Sequence, residues 1–331
     1  MLFKIASAHE AYVLPDGSFW EGIKEPLNAH VFSSLQNPNN LKVTIIIAVS
    51  VWLLLGLNFF FRRSQIGQKT HMFFERFAKF GPHFVRIAIA AALFFSATSN
   101  SFLGPELHAG LLPYAQFTRI VLLCISLMIA VGIFTELAAL LGIVIYIVGL
   151  FVYGPYIFTY FNYLGELIVL LLFGLRSFSA DGYLFGPLKR FGSLAKYETV
   201  IIRAFYGLAL IYAAITVKLL HPELTVSVVN IWHLNQYHWL FPSDPLLITL
   251  GAGIVEIVIG LFILVGFQMR LTILISLFYI TLSLLFFREL VWPHFLLYGI
   301  SLSLLVQPEI FAIDNLLFKR KLNNPSPVPA D

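Results

Sequence analysis

Of 331 residues, 59% are hydrophobic and only 11% charged, and the mean hydropathy is +0.86. A soluble domain is about a quarter charged, so the chain reads as a multispanning protein of the lipid bilayer, with no room for a sizeable water-soluble domain. No basic run with interleaved aromatics accompanies the formal charge of +4, which argues against nucleic-acid binding. One cysteine, Cys124, excludes an internal disulfide or thiol relay.

Residues 1–42 form a polar tail with Pro15, Pro26, Pro38 and an Asn-rich stretch. Ala6-Ser7-Ala8 before His9 has the small-residue pattern of a signal cleavage site. Cut there, His9 becomes an N-terminal histidine able to chelate copper with His30. An ordinary surface tail is the simpler reading, and no metal site is expected. Residues 43–61 carry no charge over a length that crosses a bilayer, and Arg62 and Arg63 stop them. Within 72–80, Phe73, Phe77 and Phe80 share a helical face beside Arg76 and Lys79, the pattern of a helix lying in the headgroups. Residues 43–83 thus hold one span and one interfacial helix.

Eight further apolar segments follow, at 84–103, 116–134, 137–153, 158–175, 200–220, 246–266, 271–287 and 291–306. The expected fold is all-α, with nine transmembrane helices. With the N-terminus outside, Lys4, Lys24, Lys42, Arg119, Lys218 and Arg288 fall outside and the other 15 of the 21 basic residues fall inside. The positive-inside rule then puts the C-terminus in the cytoplasm. The expected location is the prokaryotic cytoplasmic membrane.

An internal repeat runs through the last eight spans. Arg86–Leu107 aligns without gaps on Arg203–Leu224, with 8 of 22 positions identical, including the leading Arg and the closing Pro-Glu-Leu. Val131-Gly132 matches Val265-Gly266, and Phe178-Ser-Ala-Asp181 matches Phe311-Ala-Ile-Asp314. Two four-helix units follow, 84–190 and 200–321. Each has an even span count, so they run parallel about an axis along the membrane normal. They differ in charge: Lys218 aligns with Ser101, Glu256 with Leu122 and Arg270 with Glu136, while Glu166 of the first unit aligns with Gly299.

Arg203, Gly207, Lys218, Pro222, Glu256, Gly260, Gly266, Arg270, His294 and Asp314 occur in an order and spacing that resemble the DoxX-like family of four-helix membrane proteins. The resemblance covers residues 200–318 well, 84–190 weakly, and leaves 1–80 outside. It implies a four-helix bundle per unit and a link to membrane redox work. Relatives include the small membrane subunit of thiosulfate:quinone oxidoreductase.

The chemistry that the residues support centres on the second unit. A carboxylate at bilayer depth is expensive and calls for a partner or a purpose. Lys218 and His294 stand near the outer ends of their helices, with His221, Trp232, His233, Tyr237, His238, Trp239 and Phe241 in the loop 221–245. A quinone requires a slot open to lipid, hydrogen-bond donors for its ring oxygens and a titratable group. Lys218 and His294 suit the donors, and Glu256 a proton relay. Arg203 and Arg270 complete the candidate pocket, and Glu166 is a second candidate polar site. The structural alternatives are a snorkelling Lys218, a Glu256 paired to Lys218 or Arg203 to lock the bundle, and an interfacial His294.

No dinucleotide fingerprint, CxxCH site or Fe–S cysteine set is present in the sequence. Electrons would therefore come from a redox partner docked on the outer face. The leading function is a DoxX-like membrane subunit presenting quinone to an oxidoreductase. The alternatives are a non-catalytic anchor or assembly subunit using the tail and the 72–80 helix, and a proton-coupled transporter using Glu166 and Glu256.

Overall fold

The computed structural model describes residue 14 and residues 18–174, 179–185, 196–237, 241–287 and 290–317. His9 and the Ala6-Ser7-Ala8 pattern lie outside these residues, as do Arg176, Phe178, Lys189, Arg190, His238, Trp239, Arg288 and the basic 319–321. The described chain is helical. Six stretches are long and apolar enough to cross a membrane: Pro38–Arg63, Gln65–Thr98, Thr135–Phe173, Glu198–Leu219, Pro245–Val265 and Met269–Phe286. Ala115–Val131 and Trp292–Val306 are shorter apolar helices.

A short helix α1 (Ser18–Gly22) sits on one end of the assembly, where Trp20 Nε1 donates to the Glu106 carbonyl at 3.3 Å and Phe19 and Trp20 pack edge-on against Tyr156. Helix α2 (Pro38–Arg63) begins where Pro38 offers no orphan N–H and the Asn37 side chain accepts from Asn39. Helix α3 (Gln65–Glu75) is capped by the Ser64 hydroxyl. The amphipathic helix thus starts seven residues earlier than the 72–80 pattern indicates, because Ser64 supplies the start signal, and only a 3-10 turn, Ala78–Phe80, closes it.

Then come α4 (Gly81–Thr98), α5 (Ala115–Val131), α6 (Thr135–Tyr153), α7 (Phe161–Phe173) and α8 (Ala180–Phe185). Helix α9 (Glu198–Ala213) continues as a π-helical turn, Ala214–Leu219. After it come α10 (Pro222–Ile231), α11 (Pro245–Val265), α12 (Met269–Phe286), α13 (Phe295–Val306) and α14 (Ile313–Leu317). The segment expected as a loop, 221–245, instead holds α10. Pro222 at its first position and Glu223 in its first turn favour a helix start there.

Helices α4 to α7 pack in sequence, α9 and α11 to α13 do the same, and the two sets cross-pack reciprocally: α13 lies on α4, and α7 lies on α9. Small residues set both crossings. A Cβ on Gly299 would stand 2.8 Å from the Phe84 carbonyl oxygen beside Ala88, and one on Gly165 would stand 2.7 Å from Phe205 Cγ. Ala88 and Phe205 are themselves aligned positions. In these two crossings Gly165 and Gly299 take equivalent places, each followed by an enclosed residue, Glu166 and Ile300.

The same corner is built twice at the end rich in arginine, hereafter the basic end. Helix α5 ends at Gly132 (φ +71°) and α11 at Gly266 (φ +70°), a conformation that costs glycine nothing. Phe134 and Gln268, both left-handed, turn the chain into α6 and α12. The Asp181 carboxylate accepts from the amides of Phe134 and Thr135, both at 2.9 Å, and the Asp314 carboxylate accepts from those of Gln268 (2.8 Å) and Met269 (3.0 Å). Each aspartate amide in turn donates to the glycine carbonyl, at 2.8 and 3.1 Å. Orphan helix-start donors are thereby satisfied by a distant carboxylate.

Helix α2 stands apart from this frame. Asn40 Nδ2 donates to Asp244 Oδ2 (2.5 Å) ahead of α11, and Asn58 Nδ2 donates to Gln268 Oε1 (2.6 Å) after it. Between these ties Ile45, Ile46 and Ile47 are 54%, 65% and 54% exposed. Consecutive helical residues point 100° apart, so this stretch of α2 is exposed on several sides, and Leu55 further on is buried, its carbonyl accepting from Gln268 Nε2 at 2.9 Å. Ile254, Val255 and Leu261 of α11 are exposed as well.

Candidate functional site

Lys218 lies in the π-helical turn that ends α9. The Leu220 amide donates to the Ile215 carbonyl at 3.0 Å, a five-residue step that admits one extra residue and re-aims the side chains after it. Pro222 then ends the stretch because it has no N–H. The His221 ring Nδ1 instead takes the freed Thr216 carbonyl at 2.7 Å.

Glu256 sits mid-way along α11. Its carboxylate accepts Lys218 Nζ at 2.9 Å on Oε1 and 3.1 Å on Oε2, and the Tyr279 hydroxyl of α12 donates to Oε1 at 3.2 Å. Glycines bring the helices close enough for this. A Cβ on Gly207 of α9 would stand 2.6 Å from the Gly260 carbonyl, and one on Gly253 would stand 3.3 Å from Lys218 Cβ. Close helix approach through small residues is a usual membrane device. It seats the lysine against the carboxylate, with side-chain exposures of only 7% and 13%. Two charges so placed neutralise one another in a medium where either alone costs about 2.5–3.5 kcal/mol. The direct pairing matches the structural alternative for Glu256.

The other expected pocket residues go elsewhere. Arg203 is buried at the basic end, donating to the carbonyls of Ile310 (3.2 Å) and Phe311 (2.9 Å) beside Gly266. Arg270 donates to the His71 carbonyl at 2.6 Å and lies over the Phe74 ring, which fastens α3 to the start of α12. His294 is buried in the 3-10 turn ahead of α13, where its Nδ1 meets the Leu290 carbonyl at 3.0 Å, and this turn packs on α4. The cluster that the structure assembles from the expected site is therefore Lys218 and Glu256, joined by Tyr279. His30 pairs with Glu223 at 3.0 Å on the surface.

Glu166 is fully buried in α7, and neither carboxylate oxygen has a hydrogen-bond partner among the described residues.

Two polar clusters escaped the sequence reading. At the basic end Arg62 reaches Asp314 and Glu309 (2.7 Å), and His71 joins Glu75 (3.1 Å) to Glu309 (3.5 Å). Glu309 experiences burial, which pushes its carboxyl up, but the hydrogen bond to His71 and the charge of Arg62 outweigh it and hold the group below its ordinary value. Burial and then the nearby Glu309 push Asp314 up. Arg62 reads in sequence only as a stop signal after an apolar run, so nothing in it announces this role. At the opposite end Glu106 Oε1 accepts from the hydroxyls of Tyr156 (3.0 Å) and Tyr160 (2.5 Å). The tyrosines four apart were the one available sign.

In comparisons with known proteins, the chain matches no family model, no curated protein and no solved structure.

Proposed function

We propose that the chain is a nine-pass protein of two parallel, duplicated four-helix units plus the N-terminal span α2, and that it serves as a DoxX-like membrane subunit presenting a quinone to a redox partner. The observation that carries the ligand reading is the Lys218–Glu256–Tyr279 cluster, whose glutamate and tyrosine lie within the apolar helices α11 and α12 and whose lysine comes from a π-helical turn of the kind that recurs at functional sites. Lysine and tyrosine are donors suited to a ring oxygen, and the carboxylate between them can take or give a proton. The exposed middle of α2 beside α11 leaves lateral room for an isoprenoid tail. The duplicated corner and the reciprocal α13–α4 and α7–α9 crossings support the two-unit architecture. The arginine-rich end is assigned to the cytoplasm, so the tail and the redox partner lie outside, in a prokaryotic cytoplasmic membrane.

The test is quinone content. Protein purified in native lipid retains quinone, and Tyr279→Phe and Glu256→Gln lower the amount per protein. Equal content in all three preparations would contradict the assignment.

A further inference from the structure

At the end opposite the basic end, part of the N-terminal tail crosses the second unit as a strap. The Asn28 amide donates to the Leu220 carbonyl at 2.9 Å, and His30 Nε2 meets Glu223 Oε1 at 3.0 Å. Gly22 lies so near α10 that a Cβ there would stand 2.5 Å from Leu224 Cδ2. Between the strap and the turn that starts α10 is a cavity of about 450 Å³. Small-molecule sites span about 300–1,000 Å³ and combine apolar walls with a few polar groups. Here Leu27, Leu220 and Leu224 supply hydrocarbon, and Glu25, His221 and Glu223 supply the polar groups.

These three polar groups are of one kind. Glu25 and Glu223 are carboxylates, exposed toward the mouth. His221 is set by its other bond: Nδ1 lies 2.7 Å from the Thr216 carbonyl, which can only accept, so Nδ1 carries a proton. In the neutral ring Nε2 then holds a lone pair. The side chain is 7% exposed, and Nε2 is enclosed without a hydrogen-bond partner among the described residues. A buried acceptor left unmet calls for a donor. No Lys or Arg side chain lines the cavity, and Lys218, one turn back, is turned to Glu256. The start of α10 by itself favours an anion, and Glu223 in its first turn is that anion. No three His, Cys, Asp or Glu side chains gather into a metal site among the described residues.

The first unit shows the alternative at aligned positions. Glu106 aligns with Glu223 and accepts from the hydroxyls of Tyr156 (3.0 Å) and Tyr160 (2.5 Å). Gly104 aligns with His221, and a Cβ there would strike the Tyr160 hydroxyl. In that unit the protein fills the space with its own donors. In the second it leaves a cavity lined by acceptors.

We propose that this cavity binds a small primary ammonium compound with an aliphatic body. An ammonium group carries three donors and no acceptor, the complement of two carboxylates and an imidazole nitrogen. Glu25 and Glu223 draw the cation in at the mouth, His221 takes an N–H at the enclosed side, and the leucines cover the carbon chain. The site is separate from the Lys218–Glu256 pair and requires no quinone.

The test is calorimetric titration of the full chain, in nanodiscs of zwitterionic lipid, with n-butylammonium. The wild type binds it saturably and binds neither n-pentanol nor n-pentanoate. Glu25→Gln lowers the affinity about tenfold, the worth of one charged hydrogen bond. Glu25 is exposed, so this variant keeps its fold. His221→Phe also weakens binding, and Tyr279→Phe leaves it unchanged. The proposal is overturned by absence of saturable butylammonium binding, by pentanoate binding as tightly, or by an affinity unchanged in Glu25→Gln. Saturable zinc binding that excludes butylammonium also overturns it, since the site would then be one for a metal ion.

Discussion

The two four-helix sets have the same corner and crossing contacts and surround a mid-helix carboxylate in opposite ways. In the second, Glu256 is met by Lys218 and Tyr279, and glycines at 207, 253 and 260 bring the helices together to make the meeting possible. In the first, Glu166 has no hydrogen-bond partner among the described residues, and Ile300 takes the equivalent place at the other crossing. Leu122 stands where Glu256 would be, enclosed like any core residue. The comparison teaches that the frame of corner, glycine crossing and buried arginine is independent of the polar centre. Corner aspartates and glycines repeat because helix ends need them, whereas the carboxylates do not repeat because the fold does not need them.

The largest effect should come from separating the pair. Lys218→Met takes the ammonium away from the buried Glu256 carboxylate and should cost about 3–5 kcal/mol, as breaking buried ion pairs does. Glu166→Gln keeps the shape of a buried group that has no hydrogen-bond partner among the described residues and should change stability by less than about 1 kcal/mol. Unfolding of both variants in the same bilayer mimic checks the contrast, and equal losses would abolish it.

A second prediction sharpens the likeness of the corners. Alanine at Gly132 or Gly266 forces a left-handed residue, at roughly 1–2 kcal/mol. The substitution at Gly266 should cost more, because its Cβ falls within 2.8 Å of Ala312 Cβ, Ala312 Cα and Arg203 Nη1, whereas at Gly132 only Ser179 Cβ, at 2.4 Å, comes closer than 3.1 Å. Thermal midpoints of the two variants give the order.

The smallest effect concerns α3, which Arg270 of the second set holds. Glu309 has a folded pKa below its unfolded one, so its contribution is present above the ordinary carboxylate range and is lost as pH falls through the lowered value. The stability gap between wild type and Glu309→Gln should narrow on acidification. A gap that widens would show that the His71 and Arg62 contacts do not act on this carboxyl.

Much of the frame was legible because its signals are local. Charge-free runs ended by Arg62 or Gly266, and Pro-Glu-Leu closings, mark helix ends whatever lies beside them. The Lys218–Glu256 meeting was legible as chemistry but not as geometry, since a regular helix places Lys218 nearer the membrane surface and only the π-helical turn re-aims it. His294, Arg203 and Arg270 share the unit without sharing the pocket, because helix ends converge at two faces and sequence order does not say how deeply side chains reach. Tyr279 looked like one more aromatic on an apolar helix. The Arg62 network joins residues 247 and 252 positions apart, which no window of sequence links.

The central claim is that Lys218 and Glu256 are held for a ligand rather than for the fold. The most direct measurement takes Lys218→Met/Glu256→Leu, in which both charges are gone and none is stranded, and reads thermal midpoint and bound quinone in one preparation. The account predicts a midpoint close to that of the wild type with the quinone lost. A midpoint restored with quinone still bound would contradict it.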